Sequence, residues 1–313
     1  MASAEHTEPT TGRGLVQYAR DGWAVGGVAF NLARSDRGLR RYALRAFVAV
    51  ILIEGVMGAV VVTFRHHGTL LQRIVFGGAA TYVIALASNA AAVGLAGVAD
   101  DLLAGRRTEP AAGLRLARRR LPQIAAWALI VVIVGIPMRA ATRWGIDQLA
   151  AVLLGFSWAI VLLFVIPAIA LAGDGPVGAA KRSVRVVGRK WGTQLVGVVY
   201  VWIRPALFVG VPGLVAAVAG FVLARNGVDL LGWALAAAGV VTMAVAYLLA
   251  ICATAVLAVA LFRFAETGSA PAGFAEAQLE RIMRPPSSIV QRVASRLDGD
   301  RARRFRARIT DER

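Results

Sequence analysis

The chain has 313 residues, 58% of them hydrophobic, and a mean hydropathy of +0.65. Only about half of the residues of an ordinary soluble domain are apolar, so this composition excludes that class and indicates a membrane protein. A net charge of +17 would suggest a nucleic-acid partner for a soluble protein. Here the 35 Lys and Arg residues lie almost wholly between apolar runs, so we expect no nucleic-acid partner. The single cysteine, Cys252, excludes an internal disulfide.

The N-terminal segment precedes the first apolar run. Residues 1–12 are polar and are predicted to be disordered. From Arg13 to Arg34, apolar residues recur at helical intervals, which predicts an interfacial helix with Trp23 as a headgroup-level anchor. The first 41 residues contain no cleavable signal peptide, so we expect the first span to act as its own insertion signal.

Six apolar runs are each long enough for a helix that crosses a bilayer, which needs about 20 residues. The predicted fold class is therefore all-α, a polytopic membrane bundle of six transmembrane helices with basic amphipathic interfacial helices. Pro205 and Pro212 predict a kink in the fifth span. The six spans are predicted at 42–63, 74–99, 122–140, 148–172, 194–223 and 230–262.

The basic residues alternate strictly between the connections. The N-terminal segment, the 100–121 and 173–193 connections and the segment after Phe262 hold 28 Lys and Arg residues, against 5 in the other three connections. The positive-inside rule therefore places both termini in the cytoplasm, as an even number of spans requires. The predicted location is the bacterial plasma (inner) membrane, with the protein multi-pass.

The two longer cytoplasmic connections, which begin at Pro110 and Pro176, have a similar pattern. Each begins with proline, a favoured first helical residue, and then alternates basic residues with Leu, Val and Ala. Basic amphipathic helices of this kind suit the surface of an anionic inner leaflet, so membrane lipids are predicted partners. The candidate residues that face lipid headgroups are Arg115, Arg118, Arg119, Arg120, Lys181, Arg182, Arg185, Arg189 and Lys190.

These features divide the chain into three parts. Residues 1–12 form a disordered N-terminus, and residues 13–265 form the six-span membrane domain with its N-terminal interfacial helix. Residues 266–313 form a basic cytoplasmic tail, which contains two helix-compatible stretches, 272–283 and 287–297. The tail is suited either to acidic lipid or to a dedicated protein partner.

Several short motifs resemble the core signature of an uncharacterised six-span prokaryotic membrane family. They are Phe164-Val-Ile-Pro167, Gly175-Pro176, Ala180-Lys-Arg-Ser183, Lys190-Trp-Gly192, Arg119-Arg-Leu-Pro-Gln-Ile124 and Val211-Pro-Gly-Leu214. More distantly, the helix that runs from Pro176 to Trp191 is similar to one in the membrane domain attached to some glycerophosphodiesterases. The resemblance covers residues 13–265 and implies a fold without a mechanism.

Three polar residues lie inside predicted spans: Glu54, Asn89 and Arg204. A charge at the centre of a span costs roughly 2.5–3.5 kcal/mol, so such residues face the bundle and find partners. The predicted topology places all three about 15–18 Å from the cytoplasmic end, at one level. They form either a site for a proton, an ion or a lipid headgroup, or a Glu54–Arg204 pair with Asn89 bonding across helices.

Small residues predict close helix packing in the first two spans. They are Gly55, Gly58, Ser88, Ala92, Gly94, Ala96 and Gly97.

No motif of an enzyme is present. Asp100-Asp101 and His66-His67 each supply too few ligands for a metal, so no metal and no cofactor are expected. The favoured function is non-enzymatic binding or organisation of lipid or a protein partner, with homo-oligomers possible. A small transporter that uses Glu54, Asn89 and Arg204 is the alternative, and a membrane-embedded enzyme ranks third.

Overall fold

The computed structural model describes residues 13–143, 163–189, 194–276 and 279, and all regular structure in these ranges is helical. Ten helices are described. They are α1 (Arg13–Ser35), α2 (Arg37–His67), α3 (Leu70–Leu103), α4 (Pro110–Arg119), α5 (Leu121–Arg143), α6 (Leu163–Ala172), α7 (Pro176–Arg189), α8 (Gln194–Pro205), α9 (Val211–Arg225) and α10 (Asp229–Thr267).

Four described helical segments are long and apolar enough to cross a membrane. They are Arg37–Arg65, Leu70–Leu103, Val198–Arg225 and Asp229–Thr267. They coincide with the predicted first, second, fifth and sixth spans. The apolar parts of α5 (Leu121–Gly135) and α6 are shorter, and residues 144–162 lie outside the described ranges. The third and fourth spans therefore stay predictions.

Local side chains set where the long helices begin and end. Asp36 caps the N-terminus of α2 by accepting a hydrogen bond of 2.6 Å from the Leu39 N–H. Thr69 and Gln72 form a reciprocal capping box at the start of α3. Gly268, with φ of 72°, ends α10 in the left-handed conformation that glycine adopts without strain.

Each of two prolines is followed by one π-helical turn. After Pro205, the Val211 N–H donates to the Ala206 carbonyl, and after Pro167 the Gly173 N–H donates to the Ala168 carbonyl. Proline has no N–H to donate, so the hydrogen-bond ladder shifts to a wider register there. The π-turn Ala206–Gly210 joins α8 to α9 as one membrane-length helix, so the expected disturbance at Pro205 takes this form.

Small residues bring α9 and α10 into backbone contact. The facing residues are Gly213, Ala217, Gly220 and Ala224 on α9, and Gly232, Ala236, Gly239 and Met243 on α10. A Cβ atom on Gly220 would lie 2.6 Å from the Gly232 carbonyl oxygen, and one on Gly239 would overlap the Ala217 backbone nitrogen. Such close approach favours helix association in lipid, where burial of apolar surface gives no driving force.

The glycines that were predicted to pack in the first span have no packing partner among the described residues. Gly55 and Gly58 have no atom within 4 Å of where a Cβ would be, because this part of α2 lies on the outside of the described bundle. In α3 the prediction holds at Gly94, where a Cβ would overlap the Tyr42 side chain and lie 2.8 Å from the Gly113 carbonyl oxygen.

The buried core lies at one end of the bundle, which we call the packed end. Its largest fully buried side chains include Leu39 of α2, Trp127 of α5, Phe164 of α6 and Leu257 of α10. The start of α2, the end of α3, the end of α10, and α4 meet there. The opposite halves of the α2–α3 and α9–α10 hairpins expose large apolar residues, such as Leu70 and Leu230. This exposed apolar surface suits a lipid environment.

Helix α1 forms part of the packed end. Val25, Ala29 and Ala33 are fully buried where α1 packs along α8 and α10. Trp23 is half exposed, and its ring lies 4.5 Å from that of Tyr200. One face of α1 is therefore a helix–helix contact, and its role at the membrane interface stays a prediction.

The packed region continues into the predicted tail. Phe274 and Leu279 are buried, and the Ala272 N–H donates to the Leu103 carbonyl at 3.3 Å. The contacts of the bundle thus extend past residue 265 to residue 279. The helix-compatible stretch 287–297 and the rest of the tail lie outside the described residues.

Candidate functional site

Asp100 links two helices of membrane-spanning length at the packed end. It lies in the last turn of α3 and accepts hydrogen bonds from Arg263 of α10 at 2.6 Å and from Arg106 at 2.8 Å. Asp101 also accepts from Arg106, at 2.8 Å. These bonds to Asp101 and Asp100 raise the pKa of the Arg106 guanidinium above its ordinary value. The acidic pair that could have suggested a metal is thus occupied by arginines.

Arg182 pairs with two acids. Its Nε donates to Asp174 at 2.6 Å, and its Nη1 donates to Glu266 at 3.1 Å. These hydrogen bonds, first to Asp174 and then to Glu266, raise the pKa of Arg182. The contacts tie α7 to the end of α10, so Arg182 stabilises the packed end.

Asp36 makes a third link there. Besides capping α2, it accepts a hydrogen bond of 2.8 Å from the Thr108 hydroxyl. Gly38 lies directly against the same residue, since a Cβ on Gly38 would be 2.8 Å from the Thr108 Cβ. The connection between α3 and α4 is therefore fastened to the start of α2.

The other described basic candidates divide into two groups. Arg115, Arg118 and Arg119 on α4 and Lys181 on α7 are exposed. Beneath the cations of α4, Gly113 and Ala117 are buried against the bundle. The half-exposed Leu114 adds an apolar group to the same outer face, as an interfacial helix requires. We call Arg115, Arg118, Arg119 and Lys181 the exposed basic cluster.

Arg120 is turned inward. Its guanidinium lies against Gly173, where a Cβ would come within 2.6 Å of the Arg120 Cζ. Its Nε is buried, and the Arg120 side chain forms no hydrogen bond or ion pair with any described residue. The remaining candidates are not placed: the side chains of Arg185 and Arg189, and the whole of Lys190, lie outside what the structure describes.

The three candidates that were predicted to lie inside spans form no hydrogen bond or ion pair with one another in the described part of the chain. Arg204 donates to the Tyr200 hydroxyl, and its guanidinium lies 5.1 Å from the centre of the Phe30 ring. Asn89 donates to the Ala85 carbonyl of its own helix at 2.7 Å, not to another helix. Glu54 is exposed on α2 and has no hydrogen bond or ion pair among the described residues. Neither the Glu54–Arg204 pair nor a shared polar site is found in this part of the chain.

Metal ligands do not cluster in the described part of the chain, where no three His, Cys, Asp or Glu side chains converge. The side chains of His66 and His67 lie outside what is described.

Sequence reasoning missed the acids and the arginine that fasten the packed end: Asp36, Asp174, Arg263 and Glu266. Each lies close to a helix end that was predicted to be cytoplasmic. Acids are scarce in this chain, 18 against 35 basic residues. Their position beside span ends was a usable signal, because an acid among many cations has a partner nearby.

The family comparison covers the region that holds most of this site. Residues 71–274, about two thirds of the chain, match a family described as a family of unknown function, DUF6159. The chain belongs to the DUF6159 family. The DUF6159 match begins at the second residue of α3 and extends past the end of α10, and it includes Asp100, Arg120 and Arg182. Comparison with curated proteins found no match. Comparison with solved structures also found none.

Proposed function

We propose that this DUF6159 protein is a non-enzymatic, six-span protein of the bacterial plasma membrane that binds anionic lipid at its cytoplasmic face. The observation that carries the proposal is the exposed basic cluster, which lies on surface helices at the packed end. Exposed cations attract anionic lipid headgroups, and neighbouring exposed apolar residues such as Leu114 can enter the edge of the hydrocarbon layer.

The orientation is supported by how the helix ends are grouped. The start of α2, the end of α3 and the end of α10 meet at the packed end, and the positive-inside count assigns all three to the cytoplasm. Four described segments of membrane length and two predicted spans give six, with both termini on one side. The exposed apolar halves of the hairpins then face lipid, a protein partner or a second copy of the chain.

The transporter alternative has less support, since the described structure does not bring Glu54, Asn89 and Arg204 together. The likeness to the membrane domain of some glycerophosphodiesterases concerns α7 and its flanking residues. That likeness is a hypothesis about a shared surface helix, because the family that the comparison matched is DUF6159, whose function is unknown.

Neutralising the exposed basic cluster on α4 should weaken the binding of anionic lipid. We expect the Arg115→Gln/Arg118→Gln/Arg119→Gln variant to retain several-fold less phosphatidylglycerol than the wild type, because each cation near an anionic surface contributes up to about 1 kcal/mol and the three losses add. Native mass spectrometry of purified protein with equal phosphatidylglycerol and phosphatidylcholine measures the retained lipid.

A matched control removes three exposed arginines from the opposite ends of the hairpins. They are Arg65, Arg73 and Arg225. The Arg65→Gln/Arg73→Gln/Arg225→Gln variant should retain phosphatidylglycerol as the wild type does. Equal losses in the two triple variants, or no preference of the wild type for phosphatidylglycerol, would contradict the proposed function.

A further inference from the structure

Arg120 and Gln123 lie on one face at the junction of α4 and α5. The helical hydrogen bonds continue across the junction, since Arg120 N–H donates to the Leu116 carbonyl at 3.0 Å and Ile124 N–H donates to the Arg120 carbonyl at 2.9 Å. Residues three apart in a helical turn are neighbours on its surface. The fully buried Trp127 ring follows one turn further along α5.

The Arg120 guanidinium is covered by the backbone at the end of α6. Gly173 has φ of 71°, and a Cβ there would lie 2.6 Å from the Arg120 Cζ and 2.7 Å from its Nη2. The next residue, Asp174, pairs with Arg182, at 2.6 and 3.3 Å, and forms no ion pair with Arg120. Arg120 therefore has no counter-ion among the described residues.

Two buried polar atoms at the junction of α4 and α5 are the Arg120 Nε and the Gln123 Oε1. Neither has a hydrogen-bond partner among the described residues. A buried donor or acceptor without a partner costs free energy, and a charged one costs more. The pair combines a cationic fork, which suits two oxygens of a phosphate, with a neutral acceptor, which suits a hydroxyl. The four cations of the exposed basic cluster lack this combination.

We propose that Arg120 and Gln123 bind a phosphate group that carries or adjoins a hydroxyl. The source of the phosphate is an anionic lipid headgroup or free inorganic phosphate, which share this chemistry. Arg120 lies two residues before the start of the predicted third span at residue 122, and Gln123 is the second residue of that span, so the pair lies at the depth of lipid headgroups. The lipid form of the proposal rests on the proposed function and adds one specific site to a diffuse basic surface.

Replacing Arg120 should weaken lipid binding more than replacing its exposed neighbour Arg119. We expect Arg120→Gln to lower the retention of one phosphatidylglycerol molecule about tenfold in native mass spectrometry, the effect of losing a charge-assisted pair. Arg119→Gln removes the same charge one residue away and should lower it less than about twofold. Gln123→Leu should lower it by an intermediate factor.

A second variant covers the case in which Arg120→Gln fails to fold. Arg120→Lys keeps the buried charge but lacks the fork and the Nε, and it should bind phosphatidylglycerol several-fold more weakly than the wild type. Elution of each variant as a single peak on gel filtration shows that it is folded. Wild-type retention in both Arg120→Lys and Gln123→Leu would overturn the proposal.

Inorganic phosphate distinguishes the two sources. If the ligand is free phosphate, millimolar phosphate raises the Tm of the wild type above that in chloride of equal ionic strength, and Arg120→Lys abolishes the rise. If it is a lipid, phosphatidylglycerol raises the Tm in an Arg120-dependent manner and phosphate does not. The proposal is overturned if neither ligand shows a dependence on Arg120, even where the triple α4 variant loses lipid and the proposed function stands.

Discussion

The Gly239→Val variant should lose more stability than any other single variant considered for this protein. A Cβ on Gly239 overlaps the Ala217 backbone nitrogen and lies 2.5 Å from the Gly213 carbonyl oxygen. Backbone atoms cannot move aside by rotation as a flexible side chain can, so α9 and α10 must separate. We expect a loss at or above the upper end of the roughly 1–3 kcal/mol that overpacking usually costs.

A thermal unfolding experiment in detergent micelles, followed by tryptophan fluorescence, measures this loss. Trp233 of α10 is a suitable reporter, because its ring lies 6.2 Å from Phe221 of α9. Gly58→Val is the matched control, since Gly58 also lies in a helix of membrane-spanning length but has no described atom within 4 Å of where a Cβ would be. Gly58→Val should change stability by less than about 0.5 kcal/mol. Equal Tm values for the two variants would contradict the close packing of α9 and α10.

Breaking the Asp100–Arg263 ion pair should be the second largest effect. The Asp100 side chain is 13% exposed and is the only acid within ion-pair distance of Arg263 among the described residues. Asp100→Ala leaves the Arg263 guanidinium, which is 30% exposed, without its partner. We expect a loss of about 2 kcal/mol, since a partly buried charge without a hydrogen bond is costly.

A double-mutant cycle isolates this pair. Asp100→Ala, Arg263→Ala and the double variant should give a coupling free energy of about 1 kcal/mol or more from their Tm and unfolding data. Asp101→Ala is the control, because Asp101 pairs only with Arg106 among the described residues, and Arg106 is 54% exposed. The control should cost less than about 1 kcal/mol. Additive effects of Asp100→Ala and Arg263→Ala would show that the contact does not hold α3 to α10.

Hydropathy predicted the membrane-length helices well for a physical reason. The bilayer requires long apolar runs, so the runs 42–63 and 74–99 lie within the observed helices α2 and α3. Proline also signalled a local disturbance at position 205. Its form, a π-turn with the helix otherwise continuous, is not specified by the proline alone, because a proline can also kink or end a helix.

The partners within the packed end could not be predicted in the same way. Arg263 and Asp100 are 163 residues apart, and Arg182 and Glu266 are 84 apart, so no local periodicity relates them. The small residues illustrate the same limit. Gly58 and Gly239 look alike in sequence, yet within the described part of the chain Gly239 faces a neighbouring helix and Gly58 does not. Which face of a helix is covered is a property of the assembled bundle.

The central claim is that the chain has six spans with both termini in the cytoplasm. The side of the membrane on which residue 145 lies tests this claim most directly. Single cysteines replace Arg65, Arg107, Gly145, Asn226 or Ser269 in a chain whose native cysteine is changed to alanine. A membrane-impermeant maleimide then labels intact bacterial cells, and the same cells after lysis. Six spans place positions 65, 145 and 226 outside and positions 107 and 269 inside.

Position 145 decides the result, because it lies between the predicted third and fourth spans. We expect the cysteine at 145 to be labelled in intact cells, as those at 65 and 226 are, while those at 107 and 269 react only after lysis. Labelling at 145 only after lysis, with 65 and 226 still labelled in intact cells, would mean four spans and would contradict the six-span account.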